Sequence, residues 1–475
     1  MLPQPDPTTP AVPYAMRVVD PQASFPAQVR LDILTQIIPR ATVQEVLASL
    51  GRHTPRVRKL SLELTLWLLL AASLFPDRSL EACFAQLVQG LHDLWPDDAA
   101  YPHLLPSAAA LVYRRRQLGV RPLQALMRAV CRPRATPQTA HAFLGDFRLM
   151  ALDGHRQDVP DTPANARAFG RPGGPRGDSA FPQVLCVSLV ECGTHLPVDT
   201  TFWPCNTGEP KGAHRLLRSV TPDMVVLADR GFYSYAFFQA LRARGAQGLV
   251  RLPKNIKPER QRRLPDGSWL VRVYPPGKSR RTYLELRLIE YTGTDPEAPG
   301  YGEHYRLLTS LLEEGRYPAL LLACTYMQRW EIEGTVDEQD THLMRQCHPS
   351  SPLRSRTPVG VLQELYGLVL MHYTVRAHMY EAATAAQVAP QRVSFTRAVH
   401  LVQDALANLE RLVEAEVGRA LQRLYRTLVH HLLPKRRLRR APRAARRNQS
   451  KWPRKSDTAP LPQPKRSFSA ALAII

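Results

Sequence analysis

The stretch Phe147-Arg-Leu-Met-Ala-Leu-Asp153 marks a change in the pattern of this chain. The preceding segments have helical periodicity, whereas this short apolar run ends on an acidic residue, as is typical of a central strand followed by a loop. A second run of the same kind, Asp223-Met-Val-Val-Leu-Ala-Asp229, lies further along. The two runs predict strands that each place a carboxylate just past their end.

The segments around these two runs alternate between strand and helix patterns. Residues 154–182 are rich in Gly and Pro and predict a long loop, which at this length inside a domain is usually functional or mobile. Beyond it we predict strands at 183–191, 195–203 and 247–252 and helices at 209–220 and 232–244. Three antiparallel strands followed by helix, strand, helix and strand is the order of a ribonuclease H-like α/β core.

The predicted core is interrupted and flanked by further regions of the chain. We expect a disordered segment at 1–24, a helical N-terminal domain at 25–135, the core at 145–253 and 323–385, a β-rich insertion at 254–322, a helical region at 386–433 and a basic tail at 434–475. Candidate N-caps in the first helical domain are Thr42, Ser61, Ser79 and Ser107. The apolar segment 60–75 contains Glu63 and ends before Pro76, so it predicts a buried helix rather than a membrane span.

Charge gives the first indication of a partner. The 475 residues carry a formal net charge of +22, with a pI near 10.1, which favours a polyanion, nucleic acid before membrane. Residues 434–466 hold 13 Lys or Arg against one acid, Asp457. Such a segment either attracts phosphates or serves as a solubilising arm.

Cysteine usage and the N-terminus point to a reducing compartment. The seven cysteines are scattered, without a Cys-x-x-Cys pair, which predicts free thiols in a cytoplasm and argues against structural zinc. The first residues, Met1-Leu-Pro-Gln-Pro-Asp-Pro, lack the charged and apolar regions of a signal peptide.

A charged segment at 326–342 contains several residues spaced three or four apart. On an α-helix this spacing brings side chains to one face, here a phenol, a guanidinium and carboxylates. The members are Tyr326, Arg329, Glu333, Asp337 and Asp340. Such a face is either a solvated surface or part of a site.

Asp153, Asp229 and Glu333 together can form a metal site. Two strand ends and one packed helix can hold three acids around a pair of divalent ions, which phosphodiester chemistry uses at roughly 3.5–4 Å apart. Hard oxygen ligands select Mg²⁺, with Mn²⁺ as a substitute, over zinc. Taken singly, each aspartate is also explained as a strand-end cap or turn former.

The chain resembles a known family in several blocks that keep their order and spacing. The blocks are Leu152-Asp153-Gly154, Asp161-Thr-Pro-x-Asn165, Arg176-Gly-x-Ser-Ala-Phe-Pro-Gln183, Glu191-x-Gly-Thr-His195, Leu227-x-Asp229-Arg-Gly-Phe-Tyr233 and Tyr326-x-x-Arg-Trp-Glu-Ile-Glu333. They resemble the catalytic blocks of bacterial cut-and-paste transposases of the insertion-sequence-four family. Residues 38–91 are similar to that family's N-terminal domain, and Ser450-Lys-Trp-Pro-Arg454 to its tail.

The resemblance implies a function and roles for single residues. Asp153, Asp229 and Glu333 would be the DDE triad that binds two Mg²⁺ ions, and Tyr326 and Arg329 would contact phosphates of the transposon end. The implied reaction is nicking at terminal inverted repeats of double-stranded DNA, hairpin formation and transfer into target DNA. A homodimer that cuts in trans is implied, in the bacterial cytoplasm at the nucleoid and without membrane contact.

Asp340 departs from the family signature Tyr-x2-Arg-x3-Glu-x6-Lys, in which a lysine stands at this position. An acid near Glu333 repels phosphate, so the lysine is dispensable, a neighbour such as Arg345 replaces it, or the protein has reduced activity. Two other functions therefore stay open. One is a catalytically impaired or domesticated DNA-binding descendant, and the other is a nuclease of the same fold without strand transfer.

The remaining candidates each have two readings. Arg230 contacts DNA or neutralises the acids beside it. His155 and His195 are either metal ligands or, as is more common for scattered histidines near carboxylates, hydrogen-bonded loop residues. In the predicted insertion, Trp269 and Tyr274 either stack on a flipped base or pack across strands.

Overall fold

The computed structural model describes residues 14–52, 60–96, 105–174, 177–277, 280–295, 301–344, 353–434, 469 and 472–474. The predicted basic tail lies mostly outside these residues, as do Cys347 and Arg345. Residues 14–24, which we predicted as disordered, pack against the C-terminal helices: the Arg17 amide donates to the Arg411 carbonyl at 3.0 Å, and Val19 is buried.

A mixed β-sheet is the centre of the structure. Among the described residues it has eleven strands, and a separate two-stranded ribbon lies beside it. The strands are β1 (Phe143–Leu144), β2 (Phe147–Asp158), β3 (Gly173–Gly174), β4 (Gly177–Asp178), β5 (Gln183–Glu191), β6 (Leu196–Pro204), β7 (Met224–Ala228), β8 (Gln247–Arg251), β9 (Glu259–Arg263), β10 (Trp269–Val273), β11 (Leu284–Gly293), β12 (His304–Thr309) and β13 (Leu472–Ile474). The ribbon is β3 and β4.

The strand order is β6-β5-β2-β7-β8-β12-β11-β10-β9, with β1 beside β2 and β13 beside β11. Strands β6, β5 and β2 are antiparallel, and β2, β7 and β8 are parallel. The first five strands of this order have the ribonuclease H-like topology that the sequence predicts. The strands of the predicted insertion extend the same sheet, because β12 pairs with β8 through Leu308 and Val250.

Two sequence predictions around Asp153 are wrong in detail. Strand β2 does not end at Asp153 but runs on to Asp158, because its second half keeps pairing with β5, where Asp153 faces Ser188. The predicted loop 154–182 contains a helix, Pro163–Phe169, which begins behind the N-cap Thr162.

Helices cover both faces of the sheet and form a layer beside it. They are α1 (Phe25–Gln28), α2 (Asp32–Thr35), α3 (Arg40–Ser49), α4 (Leu62–Ala72), α5 (Leu80–Leu87), α6 (Gln89–His92), α7 (Ala108–Leu118), α8 (Arg121–Val130), α9 (Pro163–Phe169), α10 (Glu209–Leu216), α11 (Tyr235–Arg242), α12 (Ala319–Tyr326), α13 (Glu331–Asp337), α14 (Pro358–Ala385), α15 (Phe395–Glu410) and α16 (Glu414–His430).

The helix caps agree with three of the four predicted starts. The hydroxyls of Ser61, Ser79 and Ser107 each accept a backbone N–H three residues on, as an N-cap does. The start predicted at Thr42 is wrong, because α3 begins at Arg40 behind Pro39.

The N-terminal and C-terminal helices share one hydrophobic core. Residues of α3 to α8 and of α14 to α16 belong to the same buried cluster, with Trp67 and Leu370 fully buried in it. Helix α4 is buried along nearly its whole length, as predicted. No helix among the described residues has the length and apolar character needed to span a bilayer.

The segment from Ala319 to Leu343 is not one regular α-helix. It passes from α12 into a 3₁₀ turn (Met327–Trp330), then into α13, and finally into a π-helical turn (Glu338–Leu343). Because the residues per turn change along it, the single charged face predicted for 326–342 is divided.

Candidate active site

Asp153 and Asp229 lie side by side where the parallel pairing of β2 with β7 ends. The register pairs Leu152 of β2 with Ala228 of β7, so each aspartate is the next residue on its strand. Asp153 Oδ1 accepts a hydrogen bond from the Gly154 N–H at 2.8 Å. Asp229 Oδ1 accepts one from the Gly231 N–H at 2.7 Å and caps a 3₁₀ turn. Backbone donors therefore hold one oxygen of each carboxylate.

Arg329 joins Asp153 to Glu333. Its Nη1 donates to Asp153 Oδ2 at 3.1 Å, and its Nη2 lies 3.8 Å from Glu333 Oε1, one helical turn away. The guanidinium is buried, and it lies 5.0 Å from the ring centroid of Trp330. All three members of the predicted DDE triad are thus in one region, with Glu333 linked to Asp153 through an arginine.

Glu209 also lies in this region, although sequence patterns did not single it out. It is the first residue of α10, which packs against β5, β6 and the turn after Asp229. A carboxylate in the first turn of a helix is common because it interacts favourably with the helix dipole, so the position alone gave no signal.

Electrostatics reflect this crowding of acids. Burial raises the pKa of Asp153, and the charge of Asp229 adds to the effect, while Arg329 and the Gly154 amide oppose it. Burial also raises the pKa of Glu209, and the charges of Asp153 and Asp229 raise it further. The region holds more negative charge than Arg329 neutralises.

No group of three or more His, Cys, Asp or Glu side chains among the described residues stands ready to hold a metal ion. The predicted metal triad is therefore not assembled in this structure, because Arg329 occupies the position between Asp153 and Glu333. The residue types nevertheless fit a hard divalent cation, since Asp153, Asp229 and Glu333 offer carboxylate oxygens, the ligands that such ions prefer. Such an ion would relieve the same repulsion that Arg329 now relieves in part.

The other predicted DNA-contacting residues differ in accessibility. Tyr326 is buried, its hydroxyl donates to the Ala228 carbonyl at 3.2 Å, and burial raises its pKa to about 12. It anchors α12 to the end of β7, next to Asp229, so this phenol makes a core contact. Arg230 is exposed beside Asp229.

Asp340 lies in the π-helical turn and faces the strand that carries Asp153. Its Oδ1 is 3.9 Å from Nε2 of His155, which lies two residues after Asp153 on β2. Alternate residues of a strand share a face, so the pair borders the acidic region. The acid at the signature's lysine position thus faces a histidine.

A buried network lies behind the helix that carries Glu333. His195 contacts Glu331 Oε2 through Nε2 at 2.5 Å and Glu338 Oε1 through Nδ1 at 3.3 Å. Arg376 of α14 pairs with Glu338, and His372 contacts the same carboxylate at 2.9 Å. His195 has a left-handed backbone, with φ of 62°, at the turn between β5 and β6.

The opposite charges in this network stabilise the charged forms of Glu338 and His195. Burial alone would raise the pKa of Glu338, but Arg376 and His195 hold it well below its usual range. Burial and Arg376 both act to lower the pKa of His195, yet Glu338 and Glu331 raise it overall. The network fixes α13 and the π-helical turn against α14. His195 is therefore a hydrogen-bonded residue of the β5–β6 turn, as predicted, and its partners are two buried carboxylates.

Aromatic residues of the outer strands are engaged in local packing. Arg260 and Arg263 lie 4.8 and 5.8 Å from the ring centroid of Trp269, and the Tyr274 hydroxyl donates to Glu259 at 3.0 Å. Both aromatic residues thus pack across strands, the alternative to base stacking that the sequence left open.

A ribonuclease H-like sheet with two aspartates where its parallel strands β2 and β7 stop pairing, and a glutamate on a flanking helix, defines a class of nucleic-acid-processing enzymes. Comparison with known protein families identifies the particular family within this class. The family model "Insertion element 4 transposase N-terminal" matches residues 28–128, and the model "Transposase DDE domain" matches residues 145–373. The chain belongs to the insertion-sequence-four family of DDE transposases.

Curated relatives agree with this family. The transposase InsG for insertion sequence element IS4 of Escherichia coli (strain K12) is 28% identical over 416 residues, which cover 86% of this chain and 91% of InsG. The putative transposase InsZ of the same strain is 24% identical over 48% of this chain and 73% of its own length. This chain is therefore a DNA-binding enzyme of the DDE transposase type, whose domain implies dependence on a divalent metal.

A solved structure of the piggyBac transposase synaptic complex with hairpin DNA can be aligned with this chain. The alignment covers 88% of this chain and 86% of the piggyBac chain. The identity is 14% and the TM-score 0.41, a likeness too low to bear on fold or function.

Proposed function

We propose that this transposase cuts double-stranded DNA at the terminal inverted repeats of its own element and joins the freed ends to target DNA. The observation that carries the proposal is the meeting of Asp153 and Asp229 where the parallel pairing of β2 with β7 ends, with Glu333 linked to Asp153 through Arg329. Acids at these positions match the family's catalytic blocks in order and spacing.

Asp153, Asp229 and Glu333 would hold two Mg²⁺ ions, or Mn²⁺ in their place. Bound there, the ions would supply activation of the attacking water or 3′-hydroxyl and stabilisation of the leaving oxygen. The backbone amides of Gly154 and Gly231 fix one oxygen of each aspartate and so orient the two carboxylates. The hydroxyl bond of Tyr326 to Ala228 keeps α12 against the strand that ends at Asp229.

Arg329 would exchange partners during the reaction. A planar guanidinium binds carboxylate and phosphate in similar geometry, so Arg329 can pass from Asp153 to a phosphate of the transposon end. Arg230, exposed beside Asp229, would contact the same DNA.

The family resemblance extends the proposal to the reaction pathway. Hydrolytic nicking would free a 3′-hydroxyl, whose attack on the opposite strand would leave hairpinned ends, and a homodimer would cut in trans. The charge of +22 supports an extended DNA contact.

A second candidate function rests on Asp340. An acid where the signature has lysine, paired with His155, favours a DNA-binding descendant with impaired catalysis. Such a protein would bind DNA with a normal salt dependence and yet cut slowly or not at all. A nuclease without strand transfer would instead cut generic or branched DNA and ignore the terminal repeats.

The test uses the purified full chain, Mg²⁺ and a labelled duplex that carries the element's own terminal repeat. We expect nicks at the repeat boundary followed by hairpins, and a loss of at least about a hundredfold in rate for Asp153→Ala. Glu45→Gln, at an exposed position of the N-terminal helices, is the control. Metal-dependent cleavage that survives in Asp153→Ala would refute the site.

A further inference from the structure

The sequence block Glu191-x-Gly-Thr-His195 forms the turn between β5 and β6 and is buried. We propose that His195 is a positioning residue: through Glu331 it holds the helix that carries Glu333 in the place that DNA cleavage requires. This inference rests on the proposed function and adds to it a residue that is too deeply buried to touch DNA.

The backbone of the turn does not by itself favour a histidine at position 195. His195 has a left-handed conformation, with φ of 62°, which is uncommon for any residue with a Cβ and least costly for Gly and Asn. Gly193 is left-handed as well, and a Cβ there would be 2.6 Å from the Ala140 carbonyl oxygen. Unfavourable backbone of this kind persists where surrounding contacts hold it. The reason for a histidine therefore lies in the contacts of its side chain.

Glu191 fixes the base of the turn. Its buried carboxylate accepts hydrogen bonds from Thr194 Oγ1 at 2.7 Å and from the backbone N–H groups of Arg134 and Ala135 at 3.1 and 3.0 Å. Its carbonyl oxygen accepts the His195 N–H at 3.1 Å. Arg134 and Ala135 lie between α8 and β1. His195 therefore stands on a support that is independent of the helix carrying Glu333.

The imidazole of His195 meets that helix and the turn after it on both sides of Glu333. Its Nε2 lies 2.5 Å from Glu331 Oε2, and its Nδ1 lies 3.3 Å from Glu338 Oε1. Both carboxylates are buried, and Gln391 Nε2 also donates to Glu331, at 2.9 Å. Because Glu331 and Glu333 share one turn of α13, a displacement of Glu331 also moves Glu333.

Two amide side chains separate the backbone preference at position 195 from the reach of the side chain. His195→Gln places an amide nitrogen near the position of Nε2, where it can donate to Glu331, whereas the shorter His195→Asn does not reach it. Asn adopts a left-handed backbone more readily than Gln. His195→Asn should therefore unfold at the same temperature as His195→Gln or higher, and yet cleave DNA more slowly.

The assay uses the full-length chain, Mg²⁺ and saturating duplex that carries the element's own terminal repeat. We expect His195→Asn to cleave at least about tenfold more slowly than His195→Gln, since a displacement of about 1 Å can cost about a hundredfold in rate. The Kd for the repeat in EDTA should agree within about twofold between the variants, because a positioning residue acts on the rate rather than on binding. Hydrogen exchange of residues 331–343 should be faster in His195→Asn, while residues 224–228 of β7 exchange alike.

His141 provides a matched control. It is exposed, its backbone is left-handed with φ of 64°, and its ring contacts Gln328 at 3.5 Å at the surface. His141→Asn and His141→Gln should cleave at the same rate.

The outcomes separate the inference from the proposed function. If the wild-type chain cuts the repeat and both His195 variants cut equally fast, the role of His195 is overturned and the proposed function stands. If the less stable of the two variants is also the slower one, the role of His195 is structural and the inference falls. If the wild-type chain does not cut the repeat, the proposed function is refuted and the inference falls with it.

Discussion

At the scale of single residues, Arg329 has the largest effect on how the acids of the candidate site are arranged. The sequence places it one helical turn from Glu333, a spacing at which an arginine and a glutamate on a helix can pair. The structure adds a bond to Asp153, which is far away in the chain. Arg329 therefore acts as the cation of an acidic region, and the same property suits it to bind phosphate.

The first prediction at this scale concerns Asp340. Asp340→Lys places an ammonium where the family signature has one, and a charge-assisted hydrogen bond to phosphate contributes about 1.5–3 kcal/mol. We expect strand transfer to rise about tenfold or more in an assay with terminal-repeat DNA. Asp337→Lys makes the same charge change at an exposed position of the same segment and should have a smaller effect. No gain for Asp340→Lys would sink the hypothesis of impaired activity.

At the scale of elements, a buried ion-pair network orients the helix that carries Glu333. Glu331 and Glu338 flank that residue along the chain, and they bind His195 from the β5–β6 turn and Arg376 from α14. Because both carboxylates are buried, each depends on its partners to stay charged. The helix that carries Glu333 therefore has one favoured placement against β2 and α14.

Loss of the Arg376 guanidinium from this network should lower the free energy of unfolding. Arg376→Met leaves Glu338 buried with His195 and His372 alone, and breaking a buried pair typically costs about 3–5 kcal/mol. We expect a matching fall in the free energy of unfolding by urea denaturation. Arg419→Met, which removes a surface pair with Glu416, should cost less than about 1 kcal/mol. Equal losses in the two variants would contradict a special role of the network.

A second element-scale prediction concerns His378 of α14. It is fully buried, contacts the Ile33 carbonyl of α2 at 2.8 Å and the Tyr425 hydroxyl of α16 at 3.1 Å, and burial lowers its pKa to about 4. The unfolded chain binds this proton near pH 6.5, so the folded state loses stability as pH falls from 6.5 to 4, by about 3 kcal/mol.

The measurement compares urea unfolding at pH 7 and at pH 4.5 in wild type and His378→Gln. The variant should lose less stability over this interval than the wild type, because its side chain does not titrate. His400→Gln, at an exposed position of α15, is the control and should keep the wild-type dependence. An unchanged pH dependence in His378→Gln would show that other groups account for it.

At the scale of the whole molecule, the N-terminal and C-terminal helices form one core beside the sheet. Trp67 of α4 and Leu370 of α14 lie in the same buried cluster. The sequence pattern divides these helices into separate N-terminal and C-terminal regions. In the structure both regions bury their apolar side chains in one common core. We propose that a fragment ending before α14 would not fold stably.

The net charge leads to a prediction for the whole chain. Replacing the Lys and Arg residues of 435–447 by Gln removes part of the +22, so fewer counterions are released on DNA binding. We expect weaker binding to a nonspecific duplex and a shallower decline of the binding constant between 50 and 200 mM salt. Fluorescence anisotropy measures both quantities. An unchanged slope would show that this segment makes no phosphate contacts.

The sequence by itself determined the strand that contains Asp153, the strand that precedes Asp229, the caps at Ser61, Ser79 and Ser107, and the succession of strands and helices in the ribonuclease H-like core. These features depend on local periodicity and on hydrogen bonds a few residues long, which a sequence displays directly. It also placed Tyr326, Arg329 and Glu333 in one segment, although it predicted a uniform helix there.

Only the tertiary structure brought together groups that are distant in the chain. Arg329 meets Asp153, Glu209 reaches the neighbours of both aspartates, and His155 faces Asp340. Electrostatic contacts of this kind produce no periodic pattern in the sequence, because each partner alone resembles a charged surface residue. The π-helical turn at Glu338–Leu343 is also a tertiary feature, since it packs against α14 and α15, which are distant in the chain.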